Sequence, residues 1–308
     1  MSGLRTALED YLILRRSLGY KLERTGEELA DFVAFLERAG ARTVTVDLAI
    51  AWATLPPNAE SGWRAQRLGM ARGFARFQQA FDPDTEVPPL GLLPGRPRRP
   101  APYLYSAAQI ASLMEAARGF GSPLRSATVE TFIGLLAVTG LRVGEAIRLD
   151  RPDVDFKLGL VMVRNSKLGK SRSVPVHPST TEALRDYSVR RDGLCRRPNA
   201  PSFFVSTRGT RLLPGPLRTA FVEVVHRAGL PARSRGAGPR LQDLRHTFAV
   251  QTLLRWYGRG DEVEPDLPLL STYLGHVSPA STYWYLSAAP ELLAAAASRL
   301  DVTSGGRS

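Results

Sequence analysis

Cysteine is nearly missing from this 308-residue sequence, where Cys195 stands alone. That excludes an intrachain disulfide and fits a reducing compartment. Within the polar run 190–197 the residue reads as incidental. Histidine is scarce as well: His177, His226, His246 and His276 are far apart, and no Cys/His group has metal-ligand spacing. No apolar run approaches the roughly 20 residues of a membrane span, and the N-terminus lacks the apolar core of a secretion signal. A soluble, cytoplasmic protein is expected. Acidic residues are the minority charge, 29 Asp+Glu against 41 Lys+Arg, for a formal net charge of +12. Such a surplus suits a polyanionic partner, because each neutralised phosphate releases condensed counterions. An arginine-rich solvated surface is the plain alternative.

Proline, by contrast, is concentrated. Pro83, Pro88, Pro89, Pro94, Pro97, Pro100 and Pro102 forbid a regular helix, and Arg96, Arg98 and Arg99 lie among them. Residues 83–103 therefore read as a semi-rigid basic linker between a unit over 1–82 and another over 104–301, with a tail at 302–308. The first unit reads as four helices. Leu4, Leu8, Tyr11 and Leu12 share one helical face. Thr25 and Glu28 form a capping-box pattern ahead of Leu29, Phe32, Val33 and Leu36, and Gly40 supplies a stop. A short helix is expected over Val46–Thr54. A longer one turns Trp63, Met70, Phe74, Phe77 and Phe81 inward and places Arg64, Arg67, Arg72 and Arg76 on other faces. Those arginines suit a clamp on DNA phosphates or, equally, a solvated helix face.

The second unit begins with amphipathic helices near Ser106. Three β segments follow at 154–156, 160–164 and 173–176, the last two joined by a polar, lysine-bearing turn over 165–172 that reads as a hairpin. Beyond Pro178 the pattern returns to helices, at 181–190, 216–228, 241–257 and 290–300. The fold class is mostly α with a small antiparallel β-sheet (α+β).

Five short segments occur in a telling order: Thr139-Gly140-Leu141-Arg142-Val143-Gly144-Glu145, Lys167-Leu168-Gly169-Lys170, Asp243-Leu244-Arg245-His246-Thr247-Phe248, Leu274-Gly275-His276 and Ser281-Thr282-Tyr283-Trp284-Tyr285. Together they resemble the tyrosine recombinase (phage integrase) family, over about 106–300 and more loosely over the N-terminal helices. The resemblance implies a helical core-binding (SAM-like) domain followed by a catalytic domain. It also implies strand exchange through a 3′-phosphotyrosine, with Tyr285, nine positions beyond His276, as nucleophile. Tyr283 points elsewhere on a helix and is left as packing. Arg142 and Arg245 match the family's two arginines. Guanidiniums are always charged and donate in a planar fork, so they can stabilise the charge that builds on the phosphate oxygens without a metal. Lys167, or Lys170 three residues on, matches the lysine that protonates the leaving 5′-oxygen; Lys170 otherwise serves as a DNA contact. His276 would bond the phosphate or the tyrosine oxygen. Glu145 and His246 match supporting positions.

One position departs from the pattern. The family has a histidine or lysine three residues before the second arginine, and here that residue is Gln242. An amide can donate to a phosphate oxygen but cannot carry a proton or a charge.

The resemblance further implies double-stranded DNA as partner and no cofactor or metal. It implies a homotetramer on two recombination sites, or a hetero-oligomer with sister recombinases. The segment 290–300 would pack on a neighbouring protomer or within its own chain. The ending around Tyr285 is similar to that of recombinases carried by mobile elements, which points to integration, excision or transposition. Two other functions share parts of the pattern: type IB topoisomerase-like relaxation, and a DNA-binding accessory protein with impaired catalysis.

Overall fold

The computed structural model describes residues 3–55, 57–95, 102–164, 171–196, 198–230, 238–259 and 263–275. The chain divides into two compact units, Met1–Pro100 and Ala101–Ser308.

In the first unit four helices enclose one core: α1 (Gly3–Ser17), α2 (Glu23–Arg38), α3 (Val46–Thr54) and α4 (Ser61–Gln78). Apolar residues at helical spacing meet at its centre, with Leu4, Leu8, Leu29, Phe32, Leu36, Trp52, Leu68 and Phe74 buried. Thr45 caps α3 by accepting from the Leu48 amide. The capping box expected at Thr25 and Glu28 is absent, because α2 starts earlier, at Glu23, behind Leu22 in the left-handed region (φ 46°). That leaves Glu28 inside the helix, where it accepts from Arg67 instead. Phe81 lies beyond the end of α4 and is 73% exposed rather than inward.

The proline-rich stretch is partly tied down. Glu86 donates its amide to the Val44 carbonyl and takes the Val46 amide on its carboxylate, 2.8 and 2.7 Å. Arg72 donates to the carbonyls of Pro88 and Pro89, while Val87 and Leu93 rest on the core. Residues 82–93 are thus a strap on this unit.

The second unit is built round α6 (Pro123–Thr139), which is buried along most of its length. Around it pack α5 (Ala107–Arg118), α8 (Pro178–Leu194) and α10 (Leu241–Arg259), with narrower contacts from α7 (Val143–Arg148) and α9 (Pro214–Arg227). A three-stranded antiparallel sheet in the order β1-β2-β3 joins Val154–Asp155, Leu160–Val163 and Arg172–Pro175. Its register pairs Val161 with Val174, both buried, so the alternating pattern of β2 turns Val161 and Val163 to the core. α11 (Val263–Leu274) lies on α10 through Leu267, Leu270 and Leu274 against Ala249, Val250 and Leu253. The segment 290–300 lies outside the described residues.

Candidate active site

α6 ends on Gly140, whose left-handed backbone (φ 60°) turns the chain into the N-terminus of α7. A side chain there would also strike Phe248 and Leu274, with a Cβ only 2.6 Å from the Phe248 ring. The turn puts Arg142 at the N-cap of α7 with Glu145 one turn on. Glu145 reaches back to the Arg142 amide (3.0 Å) and accepts from its Nη1 (2.8 Å). Glu145 is buried, yet it is doubly paired. Arg172 of β3 donates Nη1 to Oε1 at 3.2 Å and Nη2 to Oε2 at 2.9 Å. Burial pushes the Glu145 carboxyl up, but the Arg172 fork and charge, with the Arg142 donors, outweigh it and hold the pKa down to about 2.

Three arginines then converge on the end of α11. Arg172 Nε donates to the Tyr273 carbonyl (2.8 Å), Arg245 Nη2 to that of Leu274 (2.8 Å), and Arg142 Nη2 to that of Gly275 (3.0 Å). Consecutive carbonyls at a helix C-terminus carry partial negative charge, and cations are stabilised there. Arg245 also donates to the Gly140 carbonyl at 2.7 Å, so the Thr-Gly-Leu-Arg turn and the end of α11 are fixed to one guanidinium. Gly275 has φ 68°, and a Cβ there would sit 2.6 Å from Arg172 Nη1. Only glycine lets that guanidinium pass. Burial raises the Tyr273 phenol to about 12, against a smaller lowering by Arg172.

Of the expected site residues, Arg142, Arg245 and Glu145 come together. Arg142 is one-third exposed and uses only part of its donor set on Glu145 and Gly275, whereas Arg245 is buried. Gln242 is exposed in the first turn of α10, one turn ahead of Arg245, and His246 is buried beside it. Tyr285, His276, Lys167 and Lys170 lie outside the described residues, as do Arg96, Arg98 and Arg99. Arg172 was missed. Its only sequence signal was its place as the last residue of the lysine-bearing turn, which the structure puts at the start of β3.

The helix arginines of the first unit separate. Arg67 is buried: it stacks on Trp52 (3.8 Å) and donates to Glu28 and Asp31, so it is a core ion pair and not a phosphate contact. Arg72 holds the proline strap, Arg64 is half-buried with a bond to the Pro57 carbonyl, and Arg76 is exposed. His177 caps α8 by accepting from the Ser179 amide. Among the described residues no group of His, Cys, Asp and Glu is set to hold a metal, and no helix is long and apolar enough to cross a membrane.

The chain as a whole is similar to known proteins. The phage integrase family model matches residues 104–291. A Sinorhizobium fredii protein named as an integrase/recombinase (y4rB) is 46% identical over 307 residues, 98% of each chain. The tyrosine recombinase XerD of Mycobacterium tuberculosis is 30% identical over 269 residues, 86% of this chain and 78% of its own. Among solved structures, the Tn1549 transposon integrase in complex with transposon right end DNA aligns with a TM-score of 0.67 at 17% identity, covering 98% of this chain and 100% of that one, a likeness of fold. The chain belongs to the phage integrase family, the tyrosine recombinases, and is an enzyme of site-specific DNA recombination.

Proposed function

We propose that the enzyme cuts and rejoins DNA strands by transesterification, with Tyr285 as nucleophile. The Tyr285 phenol gives up its proton to solvent as its oxygen attacks the scissile phosphate, the bond to the 5′-oxygen breaks, and Lys167 (or Lys170) supplies the proton that the leaving oxygen takes up. Arg142 and Arg245 hold the non-bridging oxygens with His276, and Gln242 adds an amide donor from the first turn of α10. A 5′-hydroxyl from a second duplex then displaces Tyr285. The diester bond energy is conserved, so the cycle needs no nucleotide and no metal. One observation carries this reading: Arg142 and Arg245 are anchored on the adjacent carbonyls of Gly275 and Leu274, immediately before His276 in the chain.

In this reading residues 104–301 are the catalytic domain and 1–82 bind DNA, with Arg76 on the exposed side of α4 and Arg96, Arg98 and Arg99 in the connection. The tail is 302–308. The working assembly is a tetramer on two sites, in the cytoplasm, of this chain alone or with a sister recombinase. A role in moving a mobile element is supported by the fold shared with a transposon integrase bound to transposon-end DNA.

The test uses nicked duplexes cut from the DNA flanking the coding region. A nick beside the cut lets the short 5′-hydroxyl fragment diffuse away and traps the covalent complex. Wild-type protein is expected to form an adduct stable to denaturant, and Tyr285→Phe none. An adduct formed by Tyr285→Phe at the wild-type rate would overturn the assignment.

A further inference from the structure

We infer that Arg172 is a positioning residue for the reaction, one that saturates Glu145 so that Arg142 keeps its donors for the phosphate. The inference rests on the strand-transfer reading above. Arg172 is mostly buried, with 13% of its side chain exposed, and all three guanidinium nitrogens are engaged: Nε with the Tyr273 carbonyl, Nη1 and Nη2 with the two oxygens of Glu145. It therefore meets the phosphate only through its neighbours. Glu145 in turn takes a single side-chain bond from Arg142, at Nη1, plus the Arg142 amide. Arg142 is thereby left with Nη2 on the Gly275 carbonyl and with further N–H groups on its exposed side.

Remove Arg172, and a buried carboxylate is left with one guanidinium. A fork-to-fork pair is the strongest arrangement open to such a carboxylate. Arg142 would swing to present two donors to Glu145, leaving Gly275 and turning its fork away from the phosphate. The same loss frees the Tyr273 carbonyl at the end of α11, the segment that leads into His276. The contact with Gly275 is equally specific, since the guanidinium occupies the space a Cβ would need. Lysine cannot replace it: a point charge on a flexible stem cannot serve two carboxylate oxygens and a carbonyl at once.

The chemical signature lies in the charge of the phosphate. A methylphosphonate at the scissile position lacks one anionic oxygen, so it depends far less on a correctly aimed Arg142. Cleavage of a nicked duplex would be timed with the ordinary phosphate and with the methylphosphonate, using the flanking DNA segment that the full-length protein binds most tightly. Arg172→Ala is expected to cleave the ordinary phosphate about 10- to 100-fold more slowly than wild type, with unchanged DNA affinity in a gel shift. On the methylphosphonate the gap is expected to close to about threefold or less. Arg172→Lys keeps the charge and guards against a variant that fails to fold; it is expected to show the same pattern. Wild-type rates in both variants would refute the inference, and so would an equal loss on both substrates, which is what general loosening produces. If wild type itself gave no Tyr285-dependent adduct, the strand-transfer reading would fall first, and that is read from wild type and Tyr285→Phe alone.

Discussion

At the scale of single residues, Glu145 is the position where burial and charge are most nearly opposed. A carboxylate this deep is tolerated because two arginines and a backbone amide meet its oxygens. Its folded pKa of about 2 lies below the ordinary 4.5, so the folded state binds its proton less readily than the unfolded chain. The sign follows from linkage: the stability it contributes is fully present above 4.5 and is lost as pH falls toward 2. Wild type should therefore lose stability more steeply across that window than Glu145→Gln. Urea unfolding at several pH values would measure this, and a difference between the two proteins that stays constant from pH 6 to pH 3 would contradict it. Near neutral pH the carboxylate stays ionised, so its pairing with the arginines does not switch there.

At the scale of elements, the pairing of β2 with β3 and the bounds of α3 follow from local pattern, and the structure agrees with the pattern in both. Elements fixed by distant partners were less legible. α2 begins before its apparent capping box, so Glu28 lies inside the helix and pairs with Arg67, thirty-nine residues away, and no local window contains that pair. The same pair explains why an arginine on α4 with the look of a surface residue is buried. In the site, Arg142, Glu145 and Arg245 could be read from their segments, since the order of the motifs is itself information. Arg172 could not, because its bidentate contact with Glu145 and its bond to a carbonyl of α11 are both made by tertiary folding. α4 thus offers a contrast within one helix. Arg67→Ala leaves the mostly buried Glu28 without its guanidinium and should cost about 3 kcal/mol, toward the low end for a broken buried pair because Asp31 is half-exposed. Arg76→Ala should stay within about 0.5 kcal/mol. Denaturant unfolding of the full chain reads both, and equal losses would mean that Arg67 is not the core residue its contacts indicate.

At the scale of the whole molecule, the net charge of +12 is a statement about DNA affinity rather than fold. Part of the arginine content is already paired with carboxylates of the protein itself. Arg67, Arg142, Arg172, Arg191 and Arg240 each hold a carboxylate, and Arg151 and Arg164 pair with Asp192 and Asp153. The charge available to phosphates is therefore smaller than composition suggests, and its location matters more than its total. Binding to DNA should still weaken steeply with salt, by about a thousandfold between 50 and 200 mM if roughly six phosphates are neutralised. The slope separates the two kinds of arginine. Arg76→Ala should lower the magnitude of the log–log slope by about 1, the signature of one lost phosphate contact. Arg67→Ala, measured where the variant is folded, should leave the slope unchanged, because that guanidinium is already satisfied by Glu28 and Asp31. Fluorescence anisotropy titrations at four or five salt concentrations would read these slopes. An unchanged slope for Arg76→Ala would remove that residue from the DNA-binding surface and leave Arg96, Arg98 and Arg99 as the proposed phosphate contacts flanking the helical unit.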